Sequence, residues 1–205
     1  MSQILMMGPP GSGKGTQAAL IADKLGIPAI STGDIFRYNV KELTELGREA
    51  KQYMDNGDFV PDDVTNRMVE DRLAQSDATE GFLLDGYPRT AGQVEALNNI
   101  LDNQGKTLTA VLVLEVPDDE LVQRLLARAE TEGRSDDTEE VIKHRLELYH
   151  RETADLVDAY LKDGIVARVD GTGMIDDVTE RLLQAVYNIR ARTGTLPVIR
   201  PRKDQ

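Results

Sequence analysis

The sequence predicts an α/β fold: a three-layer sandwich with a five-stranded parallel sheet between helices, opened by a phosphate-binding loop. Three observations carry this. The apolar run Ile4-Leu5-Met6-Met7 leads into Gly8–Thr16, read GPPGSGKGT, and then into a helix-forming segment. Further short apolar runs alternate with helical patterns along the rest of the chain, the order from which parallel sheets are built. The run Thr109–Glu115 is almost continuously apolar, as a strand covered on both faces must be.

Composition narrows the class. A chain of 205 residues, 40% hydrophobic and 29% charged, has enough material for one well-buried core. It has no apolar run of 18 residues and no basic-then-apolar start, so no membrane-spanning helix or signal segment is expected. A cytoplasmic location is expected mainly from the kind of function the motifs imply. With no cysteine, disulfides, thiolate chemistry and cysteine-held zinc are excluded. A net charge of −12 argues against a nucleic-acid binder. Any polyphosphate site must therefore gather its positive groups locally.

Taken in order, residues 3–7 read as a central strand and 16–25 as the first helix, ended by Gly26, with a second strand over Ile27–Ser31. From Thr32 to Pro61 the texture turns polar, with short helices expected over Asp34–Val40 and Thr44–Met54. This is a small helical insertion over one end of the sheet. Pro61 opens a helix over Asp62–Ala74, with Asp62 and Asp63 suited to its first turn. Gly81–Gly86 is a third strand carrying Asp85, followed by a helix over Thr90–Asn103 and the strand Thr109–Glu115. After Pro117 come a helix over Asp118–Ala129 and a brief charged segment to Thr138. One long helix is predicted from Glu139 to about Asp163, on the stripe Ile142, Leu146, Tyr149, Thr153, Leu156 and Tyr160. The strand Ile165–Val169 and the helix Ile175–Arg190 complete the pattern, and the tail from Thr193 is expected to be loosely held.

The chemistry concentrates after the strands, where ligands bind in open parallel sheets. Gly8–Thr16 matches G-x-x-x-x-G-K, but Gly15 stands where a hydroxyl is expected and Thr16 follows one later. Glycines 8, 11, 13 and 15 let the backbone turn its N–H groups inward as an anion nest, beside the positive end of the next helix. Lys14 adds a point charge for β and γ phosphates. Asp85, ending an apolar strand that faces this loop, is suited to Mg²⁺, directly or through water. Arg37, Arg89, Arg124, Arg128, Arg134 and Arg145 follow strands or flank the short charged segment, and arginine forks suit phosphoryl oxygens. Arg48, Arg67, Arg151 and Arg181 read as solvated surface, and His144 and His150 as surface or structural. Asp136-Asp137 either solvates a turn or orients an arginine.

GPPGSGKGTQA at 8–18, ISTGDIFR at 30–37, GFLLDGYPRTAGQ at 81–93, GRSDD at 133–137, KHRLELYH at 143–150 and VDGTG at 169–173 together resemble the adenylate kinases of the nucleoside monophosphate kinase family. The resemblance covers residues 1 to about 190. It implies an enzyme that interconverts ATP plus AMP with two ADP, using Mg²⁺ carried by ATP, and a monomer whose partners are small nucleotides, with no membrane or nucleic acid. Gly11, Ser12, Gly13, Lys14, Gly15 and Thr16 would wrap the ATP phosphates, with Arg124, Arg128 and Gly173 completing that site. Thr32, Gly33, Val60, Gly86 and Gln93 would hold AMP, with Arg37 and Arg89 on its phosphate. Arg128, Arg134 and Arg145 would close on the transferring group beside Lys14 and Arg89, and Asp85 would organise Mg²⁺ through water. Asp137 would orient an arginine.

The implied organisation is a core of residues 1–30, 61–128 and 139–191, an AMP-binding domain over 31–60, a lid over 129–138 and a tail over 192–205. The lid departs from many bacterial relatives, which have a longer one, in some with a zinc-holding cysteine cluster; this short form should need no structural zinc. UMP/CMP kinases of the same family share the short lid, so they are the alternative, against which Thr32 and Gln93 argue.

Overall fold

The computed structural model of the protein describes residues 2–132 and 138–194. Its strands are β1 (Ser2–Met7), β2 (Ala29–Ser31), β3 (Gly81–Asp85), β4 (Ala110–Glu115) and β5 (Val166–Asp170). They form one five-stranded sheet in the order β2-β3-β1-β4-β5, and every pairing is parallel. The expected fold class is therefore observed. The central strands are fully buried, with Ile4, Leu5, Phe82, Leu83, Leu84 and Val111 wholly shielded from solvent. Helices on both faces are what let such apolar strands exist in water.

The order reverses beside β1, which pairs with β3 on one side and β4 on the other. A crevice opens beyond the carboxyl end of β1 for that reason. Register sharpens the point. Met6 pairs with Asp85, and Asp85 with Ser31, so the segments leaving β1, β3 and β2 start at one level.

The helices are α1 (Lys14–Leu25), α2 (Thr32–Lys41), α3 (Glu45–Asn56), α4 (Asp62–Leu73), α5 (Ala91–Asn103), α6 (Asp118–Glu132), α7 (Glu139–Glu152) and α8 (Ile175–Thr193). Ser31, Thr44, Thr90 and Thr138 each cap a helix by accepting a backbone N–H three residues on, which satisfies an orphan donor. Among the described residues, no helix is long and apolar enough to cross a membrane.

Some boundaries move. The first helix starts at Lys14, two residues earlier than expected, because Gly13 adopts the left-handed conformation and turns the chain there. The charged segment after Ala129 begins as a continuation of α6, through Glu132. The single long helix over 139–163 is not observed. It breaks at Thr153, and Ala154–Asp163 winds as a 3₁₀ segment. The cause is tertiary: the buried Thr153 hydroxyl donates to the carbonyl of Arg89 at 2.9 Å. A polar position within the predicted apolar stripe was the place to break. The expectation for the tail falls mostly on residues 195–205, outside the described residues.

The polar insertion has a core of its own. Phe36, Ala50, Val60 and Val64 are buried together, with Leu46, Tyr53, Met54 and Met68 against them. Two of these residues, Val64 and Met68, belong to α4, which is thus the base on which α2 and α3 rest. Gly47 sets their approach: a Cβ there would lie 2.0 Å from the Asn39 carbonyl oxygen. Gly47→Ala gains about 1 kcal/mol of helix propensity but must push two backbones apart. Overpacking of this kind costs about 1–3 kcal/mol, and against an unyielding backbone the upper end or beyond. The variant is expected to unfold at lower denaturant concentration; an unchanged or raised midpoint would show that α2 and α3 do not approach so closely.

Candidate active site

The loop between β1 and α1 is pressed into place from two sides. Gly8, at φ 142°, sits where a Cβ would fall 2.6 Å from the Leu114 carbonyl oxygen of β4. A Cβ on Gly11 would lie 2.8 Å from Cγ of Leu125 on α6. No larger residue lets this backbone pass so close to β4 and α6. Lys14 opens α1 and curls back, its Nζ donating to the Pro9 carbonyl at 2.7 Å. Pro10, Gly11, Gly13, Lys14, Gly15 and Thr16 line an open cleft. Ser12 does not: it is 2% exposed, and its Oγ lies 3.1 Å from the Cβ position of Gly8, beneath the loop.

Asp85 faces this loop across the cleft, its Oδ2 3.7 Å from where Gly15 would carry a Cβ. Its other oxygen, Oδ1, is buried without a hydrogen-bond partner. Burial pushes the Asp85 carboxyl upward, with Lys14 and Arg89 pulling the other way. Burial likewise lowers the Lys14 ammonium to about 8, partly offset by Asp85 and reinforced by Arg89, Arg145 and Arg128. Both shifts come first from lost hydration, and each group partly offsets the other's. An incoming polyphosphate favours charged Lys14, and a divalent cation favours ionised Asp85. The unpaired buried oxygen fits a cation's need for a hard ligand.

Arg89 follows β3 and is gripped throughout. Its Nε donates to Gly86 O at 2.7 Å, and its guanidinium lies 5.4 Å from the centre of the Phe59 ring. Its backbone N–H donates to Gln93 Oε1 at 2.8 Å, while its carbonyl accepts from Thr153. Burial and the neighbouring Arg145 lower it to about 10. Arg37, paired with Asp34, and Arg145 also line the cleft. A side compartment opens from it, lined by Thr32, Gly33, Phe36, Val60, Gly86 and Gln93, among others, with Arg37, Arg89 and Arg145 shared between the two spaces. Thr32, 2% exposed, donates its hydroxyl to Gly86 O at 2.9 Å. That leaves its oxygen able to accept a further hydrogen bond.

On the opposite wall stand Arg124 and Arg128 of α6. Arg124 pairs with Glu120 and donates to Gly171 O at 3.1 Å, joining the cleft to the loop after β5 that holds Gly173. Arg134 and Asp137, with the other residues of 133–137 in the proposed lid, lie outside the described residues.

The predicted residues within the described chain thus converge, except that Ser12 lies under the loop and Gly173 one contact away. Several partners were missed from sequence. Thr153 looked like one member of a packing stripe. Arg181, assigned to surface, holds the loop after β5 by bonding Asp170 at 2.7 Å and the Thr172 carbonyl. His144 bonds Asp58 at 2.7 Å and so ties α7 to the polar insertion. None carries a local motif; only proximity in the fold reveals them.

Comparison with known proteins agrees with this arrangement. The adenylate kinase family profile matches residues 6–165. The adenylate kinase of Micrococcus luteus is 72% identical over 201 residues, covering 98% of both chains. That of Renibacterium salmoninarum is 60% identical over 191 residues, covering 93% of this chain and 99% of the relative. That of Thermobifida fusca is 52% identical over 184 residues, covering 90% and 97%. On this match, and with a phosphate loop, a buried carboxylate and a ring of arginines around one cleft, the chain belongs to the adenylate kinase family, enzymes that transfer a phosphoryl group reversibly between ATP and AMP to give two ADP.

Proposed function

We propose that the enzyme moves the γ-phosphoryl of Mg·ATP directly onto the AMP phosphate, with no general base and no covalent enzyme intermediate. The observation that carries this is the convergence of Lys14, Arg37, Arg89, Arg128 and Arg145 on one cleft in a protein of net charge −12. The AMP phosphate, with a second pKa of about 6, reaches the site largely deprotonated. What remains is to hold two anions in line and neutralise the charge that develops between them.

In this reading the phosphate loop, Lys14, Arg124, Arg128 and Gly173 hold ATP, and Arg124 stacks on its base. The side compartment takes AMP. Arg37 and Arg89 clamp its phosphate, Val60 lies along its base, and Thr32 and Gln93 read it. An acceptor oxygen on Thr32 and an amide on Gln93 match the amino group and ring nitrogen of adenine, which supports AMP over the UMP side of the UMP/CMP alternative. Cytosine presents the same pair, and the comparison of acceptors separates it. Asp85 would hold Mg²⁺ through water, and the metal would shield the charge between the β and γ phosphates. Residues 31–60 would act as the AMP-binding domain and 129–138 as a lid, with Arg134 closing on the transferring group and Asp137 orienting an arginine. Closure excludes water, the competing acceptor.

ADP formation from Mg·ATP with AMP, GMP, UMP and CMP as separate acceptors, beside a no-acceptor control, tests the proposal. Turnover with AMP far above the others is expected. Preference for UMP or CMP would overturn the base reading, and rapid hydrolysis without acceptor would overturn the role given to closure.

The lowered Lys14 gives a pH signature. In the free enzyme Lys14 loses its proton above about pH 8, so kcat/KM for ATP should fall there, approaching tenfold per pH unit. Bound polyphosphate restores the charged form, so kcat at saturation should hold to higher pH. A kcat/KM flat to well above pH 9 would contradict the assigned charge state.

A further inference from the structure

Resting on the reading of Gln93 as a contact to the acceptor base, we infer that Asp62 is a positioning residue that sets the acceptor specificity. Asp62 begins α4, where an acidic residue ordinarily serves the helix terminus. Here both carboxylate oxygens turn to the neighbouring α5 instead. Oδ1 accepts from Gln93 Nε2 at 2.6 Å, and Oδ2 accepts from the Thr90 hydroxyl at 2.7 Å. Gly92 leaves room for this approach, since a Cβ there would lie 3.1 Å from Oδ2.

The consequence lies in the amide of Gln93. A glutamine side chain offers a donor end and an acceptor end of nearly equal shape, so reading a base requires that one orientation be enforced. Asp62 and the backbone N–H of Arg89 enforce it together, because Gln93 Oε1 accepts from that N–H at 2.8 Å. Turning the amide over would set its oxygen against a carboxylate and its nitrogen against an N–H. In the held orientation one N–H of Nε2 and one lone pair of Oε1 remain for the base. Adenine presents an acceptor and a donor that match, as cytosine also does, whereas guanine and uracil present the reverse pair, an N–H beside a keto oxygen. Asp62 itself does not line the compartment; it acts through Gln93.

The test is kcat/KM for AMP divided by that for GMP and for UMP, the acceptors whose bases present the reversed pair. A ratio between acceptors cancels any general loss of activity or stability. The set is wild type, Asp62→Ala, Asp62→Ser, Asp62→Asn, Gln93→Ala and the Asp62→Ala/Gln93→Ala double variant. Serine suits the helix start but stops one bond short of both partners, so it carries the test if the alanine variant does not fold. Loss of a hydrogen bond to a charged group predicts a fall in AMP preference of roughly tenfold for Asp62→Ala and Asp62→Ser. Asp62→Asn keeps a neutral acceptor and should stay within about threefold of wild type. The double variant should be no less selective than Gln93→Ala alone. Wild-type preference in Asp62→Ala or Asp62→Ser while Gln93→Ala loses it, or losses that multiply in the double variant, would overturn the inference. Unchanged preference in Gln93→Ala would overturn the base reading itself, and the inference with it.

Discussion

Lys14→Met is expected to lower kcat by about 10² or more, some 3 kcal/mol at about 1.4 kcal/mol per decade. The argument rests on where the ammonium is held. It lies against the phosphate loop, bonded to Pro9 O, in a setting so desolvated that its pKa drops to about 8. A charge short of hydration interacts strongly with whatever anion arrives. Methionine keeps the length and volume but removes the charge, so the loop keeps its shape and loses its counter-ion. The folded protein should change little: relief of desolvation and of repulsion by Arg89, Arg145 and Arg128 offsets the lost attraction to Asp85 and the lost bond to Pro9 O. Steady-state kinetics beside a thermal melt checks both halves. A loss of tenfold or less would remove Lys14 from the chemical step.

Arg89→Ala should cost kcat a similar factor, about 10² or more, by a different route. Arg89 is half-buried between the two spaces and lowered first by lost hydration and then by Arg145, so it too is a cation that an arriving anion stabilises. Its placement comes from the backbone, because Gln93 takes its N–H and Thr153 reaches its carbonyl. Those bonds survive truncation to alanine. Stability should therefore change by no more than about 1 kcal/mol, with the lost contacts to Phe59 and the Gly86 carbonyl offset by relief of desolvation and of the Arg145 repulsion. Arg89→Lys should recover little, because a point charge does not replace a fork that grips two oxygens. Near-wild-type kcat in either variant would contradict the clamp.

Both predictions use residues legible before the fold was known. Gly8–Lys14 and Asp85–Arg89 announce themselves because phosphate chemistry demands particular residue types at fixed spacing after apolar strands. The five-stranded parallel sheet and the place of the cleft followed from alternation and from what stands after each strand, while the strand order came only with the fold. What stayed hidden depends on contacts between distant segments. The break at Thr153 was invisible to periodicity, since an unbroken stripe of three-and-four spacing runs through it and only the Arg89 carbonyl explains it. Asp62 reads as an ordinary helix-starting acid until Gln93 is seen beside it. Ser12 sits within a phosphate-loop pattern, yet its side chain is turned under the loop. His144 and Arg181 have no motif and acquire meaning from Asp58 and Asp170.

The central claim is a single direct transfer between two bound nucleotides, driven by placed positive charge. The most direct measurement is the stereochemical course at phosphorus, using ATP made chiral at the γ-phosphoryl and AMP as acceptor. One in-line displacement inverts the configuration, and inversion is the result predicted. Retention would mean two displacements and a phosphorylated enzyme, which contradicts a mechanism of positioning and charge alone.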